Sequence, residues 1–267
     1  MPEGHTIHRL ARDHHRWFAG HRVRLSSPQG RFAEEALVLD GALFEEASAH
    51  GKHLFYRFAR PGLEHAWVHI HLGLFGRYRS FRSPTPPTPN VRLRLEHEGR
   101  IVDLSGPTCC ELIDHEGVQA LHARLGPDPL GAPEGVDEFR ARLAKRSVSI
   151  AAALMDQRTI AGIGNIYRAE LLFHHQLDPM TPCRDLSDET IEALWKSASD
   201  WLELGVKAKR IVTVLPPGTR SVPRAMEGDS LHIYRRERCP RCGGAIEATK
   251  LAQRVLYSCP SCQKRRS

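Results

Sequence analysis

The chain has 267 residues, 41% apolar and 26% charged, with a formal charge of +7 and a pI of about 9.2. That is an ordinary globular composition, long enough for one large or two modest cores, and no run approaches the ~20 apolar residues of a membrane span. Met1-Pro-Glu-Gly-His-Thr6 lacks the basic-then-apolar pattern of a signal peptide, so a chain that stays inside the cell with reduced thiols is expected. The arginine-heavy basic balance implies either a polyanionic partner such as nucleic acid or plain solubility.

In chain order, residues 6–19 read as a helix that Thr6 caps and Gly20 ends. Ile7, Leu10, Ala11, Trp17 and Phe18 recur on one face. Next come short apolar runs broken by Gly, Pro and Asp: Val23, Leu25, Leu37–Leu39, Leu43–Phe44, Leu54–Phe58, Trp67–Ile70, Val91–Leu95 and Ile101–Leu104. Strands at this density predict a β-sandwich or barrel. Ser83–Asn90 is a proline-rich loop, expected to be mobile. The character changes at Gly126-Pro-Asp-Pro-Leu-Gly-Ala-Pro133, which reads as a linker. Beyond it the pattern is helical. Asp137 caps one segment and Ser149 caps Ile150–Asp156. Ala161-Gly-Ile-Gly164 turns into Asn165–His175, and Ser187 caps a long helix with the face Ile191, Leu194, Trp195, Ala198 and Leu202. Residues 215–230 read as a loop.

Cys239-Pro-Arg-Cys242 and Cys259-Pro-Ser-Cys262 are two C-x-x-C pairs. Each two-residue spacer forms a knuckle that aims two thiolates at one point. Four thiolates make the closed tetrahedral site that zinc prefers, so Cys239, Cys242, Cys259 and Cys262 predict one structural zinc, with redox or disulfide use as the rival. Gly243-Gly244 and Arg254-Val-Leu-Tyr257 fit a hairpin between the pairs. The module is basic, with Arg235, Arg236, Arg238, Arg241, Lys250, Arg254, Lys264, Arg265 and Arg266, which fits either a nucleic-acid-binding finger or a solubilising tail. Cys109, Cys110 and Cys183 are left over and read as buried thiols.

Four motifs occur in order: Met1-Pro-Glu-Gly4, Gly51-Lys-His-Leu54, Gly162-Ile-Gly-Asn-Ile-Tyr-Arg-Ala-Glu170 and Ala252-Gln-Arg-Val-Leu-Tyr-Ser-Cys-Pro-Ser-Cys-Gln263. With the cysteine pairs, the chain resembles the formamidopyrimidine-DNA glycosylase/endonuclease VIII family over essentially its whole length. The resemblance implies an α+β multidomain fold. Residues 1–125 form an N-terminal β-sandwich with an N-terminal helix, 126–136 a linker, 137–234 a helix–two-turn–helix domain, and 235–267 a zinc-finger β-hairpin. It implies a base-excision-repair enzyme that is both a DNA glycosylase and an abasic-site lyase, monomeric, acting on damaged double-stranded DNA in a bacterial cytosol.

The resemblance also implies roles. Met1 is removed and Pro2 is the nucleophile, which suits an α-amine that is partly neutral near pH 8. Glu3 is the general acid/base. Lys52, Asn165 and Arg254 hold phosphates around the lesion, Lys52 also aiding catalysis and Arg254 the second elimination; amide N–H groups at the helix start after Gly162-Ile-Gly164 can bind phosphate. His71-Leu-Gly-Leu-Phe-Gly76 occupies the wedge turn, so Leu74 and Phe75 are candidates to fill the space of a flipped base, with ordinary core positions as the rival. His71 is a phosphate contact or a core histidine.

Two departures bear on substrate. Thr6 stands where the family carries a carboxylate, and the Arg-x-Phe pair of the formamidopyrimidine branch is missing near Gly106–Glu111. Oxidised pyrimidines are therefore expected, ahead of 8-oxoguanine; a zinc-finger protein that only binds damaged DNA is the non-enzymatic alternative. The loop at 215–227 carries no readable substrate signal.

Overall fold

The computed structural model describes residues 2–132, 134–215, 218–219, 230–251 and 253–264. Met1, Pro216, most of the 215–227 loop, Ala252, Arg265 and Arg266 lie outside the described residues. The chain divides into two compact units, residues 1–2 with 7–123, and residues 3–6 with 124–267.

The first unit is a β-sandwich with helices. Helix α1 spans Gly4–Phe18. It begins two residues before the expected Thr6 cap, because the Gly4 N–H donates to the Gly162 carbonyl (2.8 Å) and the Thr6 N–H to that of Glu3 (2.9 Å). Thr6 therefore lies inside the helix. Ile7, Leu10, Ala11 and Phe18 are buried and Trp17 packs against the same core, as their spacing predicts. Gly20 follows with φ +81, a conformation that only glycine adopts cheaply.

The remaining elements of this unit are β1 (His21–Arg22), β2 (Arg24–Ser26), α2 (Ala33–Leu39), β3 (Leu43–His50), β4 (His53–Arg60), β5 (Leu63–His71), β6 (Arg77–Phe81), β7 (Val91–His97), β8 (Arg100–Ser105), β9 (Cys109–Ile113) and α3 (His115–Arg124). One sheet has the order β1-β3-β4-β5-β9 and the other β2-β7-β8-β6, and their pairings are antiparallel. Phe44, Leu54, Tyr56, Phe58, Val68 and Ile70 from the first sheet, and Leu93, Leu95, Val102 and Leu104 from the second, share one core with α1. Arg94 and Asp103 brace the second sheet through two parallel hydrogen bonds of 2.7 and 2.8 Å. Leu37-Val-Leu39, expected as strand, ends helix α2. Phe32, Ala36 and Leu39 bury at helical spacing, while Leu37 is 78% exposed.

The second unit contains α4 (Val136–Ala144), α5 (Ile150–Ala153), α6 (Asn165–His174), a 3-10 turn (Cys183–Asp185), α7 (Asp188–Ala208) and a hairpin of β10 (Glu247–Leu251) and β11 (Arg254–Ser258). Ser149 and Ser187 cap α5 and α7, accepting from the Ala152 and Thr190 amides. The predicted α7 face is buried throughout. Gly135, not Asp137, holds the cap position of α4; Asp137 sits one turn-position inside and pairs with Arg140. The first part of the stretch read as a linker is packed, while Gly131 and Glu134 are exposed. Leu125–Pro129 are buried, Gly126 donates to the Gln157 carbonyl (2.8 Å), and a side chain on Gly126 would meet Thr159 backbone at 2.6 Å.

Candidate functional site

The chain start is fixed within the second unit. Glu3 is fully buried, and its carboxylate accepts from the amides of Gly164 (2.9 Å), Ile166 (2.9 Å) and Tyr167 (3.4 Å). These are the N–H groups that the first turn of α6 leaves without intrahelical partners. A negative group there also faces the positive end of the helix. The two glycines of Gly162-Ile-Gly164 make this possible. A Cβ on Gly164 would lie 2.4 Å from the Glu3 carboxyl carbon, and one on Gly4 would lie 2.9 Å from the Gly162 Cα. The glycine motif therefore receives a carboxylate of the protein itself, and not a phosphate as the helix-start reasoning expected.

Asn165 is 4% exposed. Its Nδ2 donates to the Val255 carbonyl (2.9 Å) and its Oδ1 accepts from Arg168 Nη2 (2.5 Å). Asn165 thus ties the start of α6 to β11 one residue from Arg254, which is half-buried at the first position of that strand. Glu3, Asn165 and Arg254 are brought together by α6. Arg168 itself is fully buried; burial pulls its pKa down to about 10, against the stabilising charge of Glu3.

Sequence reasoning assigned no role to Glu170, which ends the same motif. Its carboxylate is fully buried and accepts from the amides of His232 (2.6 Å), Ile233 (2.9 Å) and Tyr234 (2.9 Å), and from the Thr213 hydroxyl. It anchors the chain leading into the cysteine module. The available signal was a carboxylate flanked by Ala169, Leu171 and Leu172 within helix α6.

In the first unit, Lys52 occupies the β3–β4 turn beside Gly51, whose φ is +57. His71 ends β5, half-buried, with its ring 5.0 Å from that of His53. It faces away from the Leu54–Ile70 core, so it is not a core histidine. Burial, then the charges of His69 and Lys52, lower its pKa. The following turn is closed by the Gly76 N–H on the Leu72 carbonyl (3.0 Å), and Gly73 has φ +65 with Thr108 packed where a Cβ would stand. Leu74 is 45% and Phe75 83% exposed. The core alternative for this pair is overturned: a tight turn presents two large apolar side chains outward.

The four cysteines converge. Sγ separations are 3.8 Å for Cys239–Cys262 and 3.6 Å for Cys242–Cys259, and all four sulfurs lie within 4.8 Å of one another. Tetrahedral coordination at the Zn–S length of about 2.3 Å places sulfurs ~3.8 Å apart, so donor type and spacing fit zinc. Knuckle hydrogen bonds run from Gly243 N to Cys239 O (2.9 Å) and from Cys262 N to Cys259 O (3.2 Å). With four protein ligands there is no open position, and the zinc is structural. Of the basic residues, Arg241 lies over the Phe173 ring (4.9 Å) and Arg236 donates to the Leu231 carbonyl (2.8 Å). Of the three other cysteines only Cys183 is buried. Cys109 and Cys110 are half-buried on β9, and burial pushes both thiols up to about 12.

A β-sandwich, a helical unit whose α6 holds the chain start, and a four-cysteine hairpin define the architecture of the formamidopyrimidine-DNA glycosylases. Three family descriptions match in order: the formamidopyrimidine-DNA glycosylase N-terminal domain over residues 1–108, the H2TH domain over 125–215, and the zinc finger found in FPG and IleRS over 236–265. The chain is 42% identical to Endonuclease 8 1 of Mycobacterium tuberculosis (strain H37Rv), across 98% of this chain and 100% of that protein. It is 31% identical to the formamidopyrimidine-DNA glycosylase of Parasynechococcus marenigrum, across 98% and 99%. The chain therefore belongs to the formamidopyrimidine-DNA glycosylase/endonuclease VIII family. A Lactococcus lactis FPG in complex with Fapy-dG containing DNA superposes with a TM-score of 0.80 at 23% identity, covering 99% of this chain and 100% of that one.

Proposed function

We propose that this chain is a bifunctional DNA glycosylase and abasic-site lyase that removes oxidised pyrimidines from double-stranded DNA, with Pro2 as nucleophile. The anchored chain start carries the reading. Glu3 is pinned on α6 and the Gly4 amide on the Gly162 carbonyl, so the residue before them is no loose tail. Once Met1 is removed, the Pro2 amine is a secondary amine at a defined place, and an α-amine is partly neutral near pH 8. Its nitrogen attacks C1′ of the damaged nucleotide, and the bond from C1′ to the base breaks. The base takes up a proton as it leaves, and the opened sugar holds an iminium. That cation acidifies the C2′ hydrogens. Loss of one expels the 3′ phosphate; a second elimination expels the 5′ phosphate.

Glu3 serves as the general acid/base: its carboxylate takes the proton that the Pro2 nitrogen sheds on bonding to C1′ and passes it to the ring oxygen, in addition to capping α6. Lys52, His71, Asn165 and Arg254 hold the flanking phosphates, and Leu74 and Phe75 fill the space of the extruded nucleotide. Two observations support the pyrimidine assignment: the 42% identity to an endonuclease 8, and the absence of an Arg-x-Phe pair at residues 106–111. The fold does not rank lesions, since Lactococcus lactis Fpg has been crystallised with both Fapy-dG DNA and oxidised-pyrimidine DNA. Cutting rates on thymine glycol, dihydrouracil and 8-oxoguanine duplexes test the assignment. The first two are expected to be cut faster; a preference for 8-oxoguanine opposite cytosine would reverse it.

A further inference from the structure

Antiparallel register on β4, β5 and β9 places His53 opposite His71, His71 opposite Cys109, and His69 opposite Glu111. Strand alternation sends Leu54, Ile70 and Cys110 to the core and these five side chains to the other face. His69 stands at their centre, 4% exposed. Its Nδ1 is 2.8 Å from Glu111 Oε1 and 3.7 Å from Cys109 Sγ, while its Nε2 is 2.8 Å from His53 Nδ1. The Phe55 ring stacks on it at 5.3 Å.

We propose that His69 Nδ1, Cys109 Sγ and the Glu111 carboxylate form a second metal site, for a divalent cation of the zinc class, separate from the four-cysteine centre. The three donor atoms lie within 4.8 Å of one another. One nitrogen, one sulfur and one oxygen match the borderline softness of zinc, and three protein ligands with a solvent-facing fourth position is a common zinc arrangement. His53 holds the outer nitrogen of His69, the kind of support that fixes which ring nitrogen faces a metal. The ligands sit on two hydrogen-bonded strands, so binding needs little ordering of backbone. The Glu111 side chain is 52% exposed and gives a cation access from solvent. On binding, the Cys109 S–H bond breaks and its proton goes to solvent; the His69 proton that Nδ1 gave to Glu111 moves to Nε2, which donates it to His53 Nδ1 as the His53 proton shifts to its own Nε2, and His69 Nδ1 and the carboxylate each bond the metal. The cluster ends beside Lys52 and His71, so a bound cation would stiffen the β3–β4 turn that carries Lys52 and the end of β5 that carries His71.

Metal counting on the intact zinc-loaded protein tests this. After equilibrium dialysis against micromolar zinc, the wild type should hold two zinc ions per chain. Cys109→Ser and His69→Ala should each hold one, that of the finger, which also reports that they remain folded. Cobalt taken up at the second site should show a thiolate-to-cobalt charge-transfer band that Cys109→Ser lacks. A wild type that stops at one zinc would reduce the cluster to a hydrogen-bonded trio; variants that still take two would place the second ion elsewhere. Either result overturns the proposal.

Discussion

Phe75 illustrates how much one side chain can reveal. An apolar ring that is 83% exposed gains nothing for the folded state, so its position on a rigid turn needs a partner to be useful. Phe75→Ala should leave unfolding free energy within about 0.5 kcal/mol of wild type. It should slow excision from duplex DNA roughly tenfold, the equivalent of about 1.4 kcal/mol of lost stacking. Cleavage of an abasic site in single-stranded DNA should be unaffected. Equal excision rates on duplex would remove the wedge assignment. A second residue-scale test concerns His14, buried and hydrogen bonded with the Tyr56 hydroxyl (2.6 Å), which in turn donates to that of Tyr78 (2.7 Å). Burial, helped by the charge of Arg9, pulls the pKa of His14 from 6.5 to about 3. The unfolded chain therefore binds a proton below pH 6.5 that the folded one refuses. Stability is full above that pH and falls towards pH 3, at up to about 1.4 kcal/mol per pH unit. Urea unfolding between these limits should show a shallower decline for His14→Gln; the remaining slope includes His175, similarly lowered to about 4. An unchanged slope would contradict the buried neutral imidazole.

At the level of elements, α6 organises the second unit through its two ends of chain. Its first turn takes the Glu3 carboxylate and the Asn165 link to β11, and Glu170 one turn later holds residues 232–234. Gly164 has φ −124, outside the left-handed region, so what opposes alanine there is the 2.4 Å approach of Glu3. Gly164→Ala should expel that carboxylate. Losing two or three charge-assisted hydrogen bonds should cost about 2–3 kcal/mol of stability in chemical denaturation, and the variant should lose abasic-site cleavage. Wild-type stability and cleavage would show that Glu3 is not held as described. None of these contacts was legible in the sequence. A carboxylate that caps a helix some 160 residues away leaves no local pattern, and the glycines look the same whether they receive phosphate or Glu3. By contrast Ser187 and the α7 face were legible, because cap and 3.6-residue period are local. Leu37–Leu39 was misread because three consecutive apolar residues do not distinguish strand from helix; burial of Phe32, Ala36 and Leu39 does. Strands β6 and β9 were missed for the opposite reason. Arg77–Phe81 and Cys109–Ile113 are half-exposed, and only their neighbours in the sheet make them strands.

For the whole molecule, a β-sandwich or barrel, a helical unit and a zinc hairpin followed from strand density, helical periodicity and cysteine spacing, because each is a repeated local signal; the choice of sandwich over barrel came with the family resemblance. The contacts that fix the chain start did not, since they join Glu3 and Gly4 to residues 162–167, far along the sequence. That start carries the proposed chemistry, in which a freed Pro2 nitrogen bonds to the sugar of damaged DNA. Borohydride reduction of the protein on an abasic-site duplex, followed by peptide mass spectrometry, tests it directly. One covalent adduct per chain is expected, on residue 2, with Met1 absent. Absence of an adduct, or an adduct on Lys52 with Met1 still attached, would contradict it.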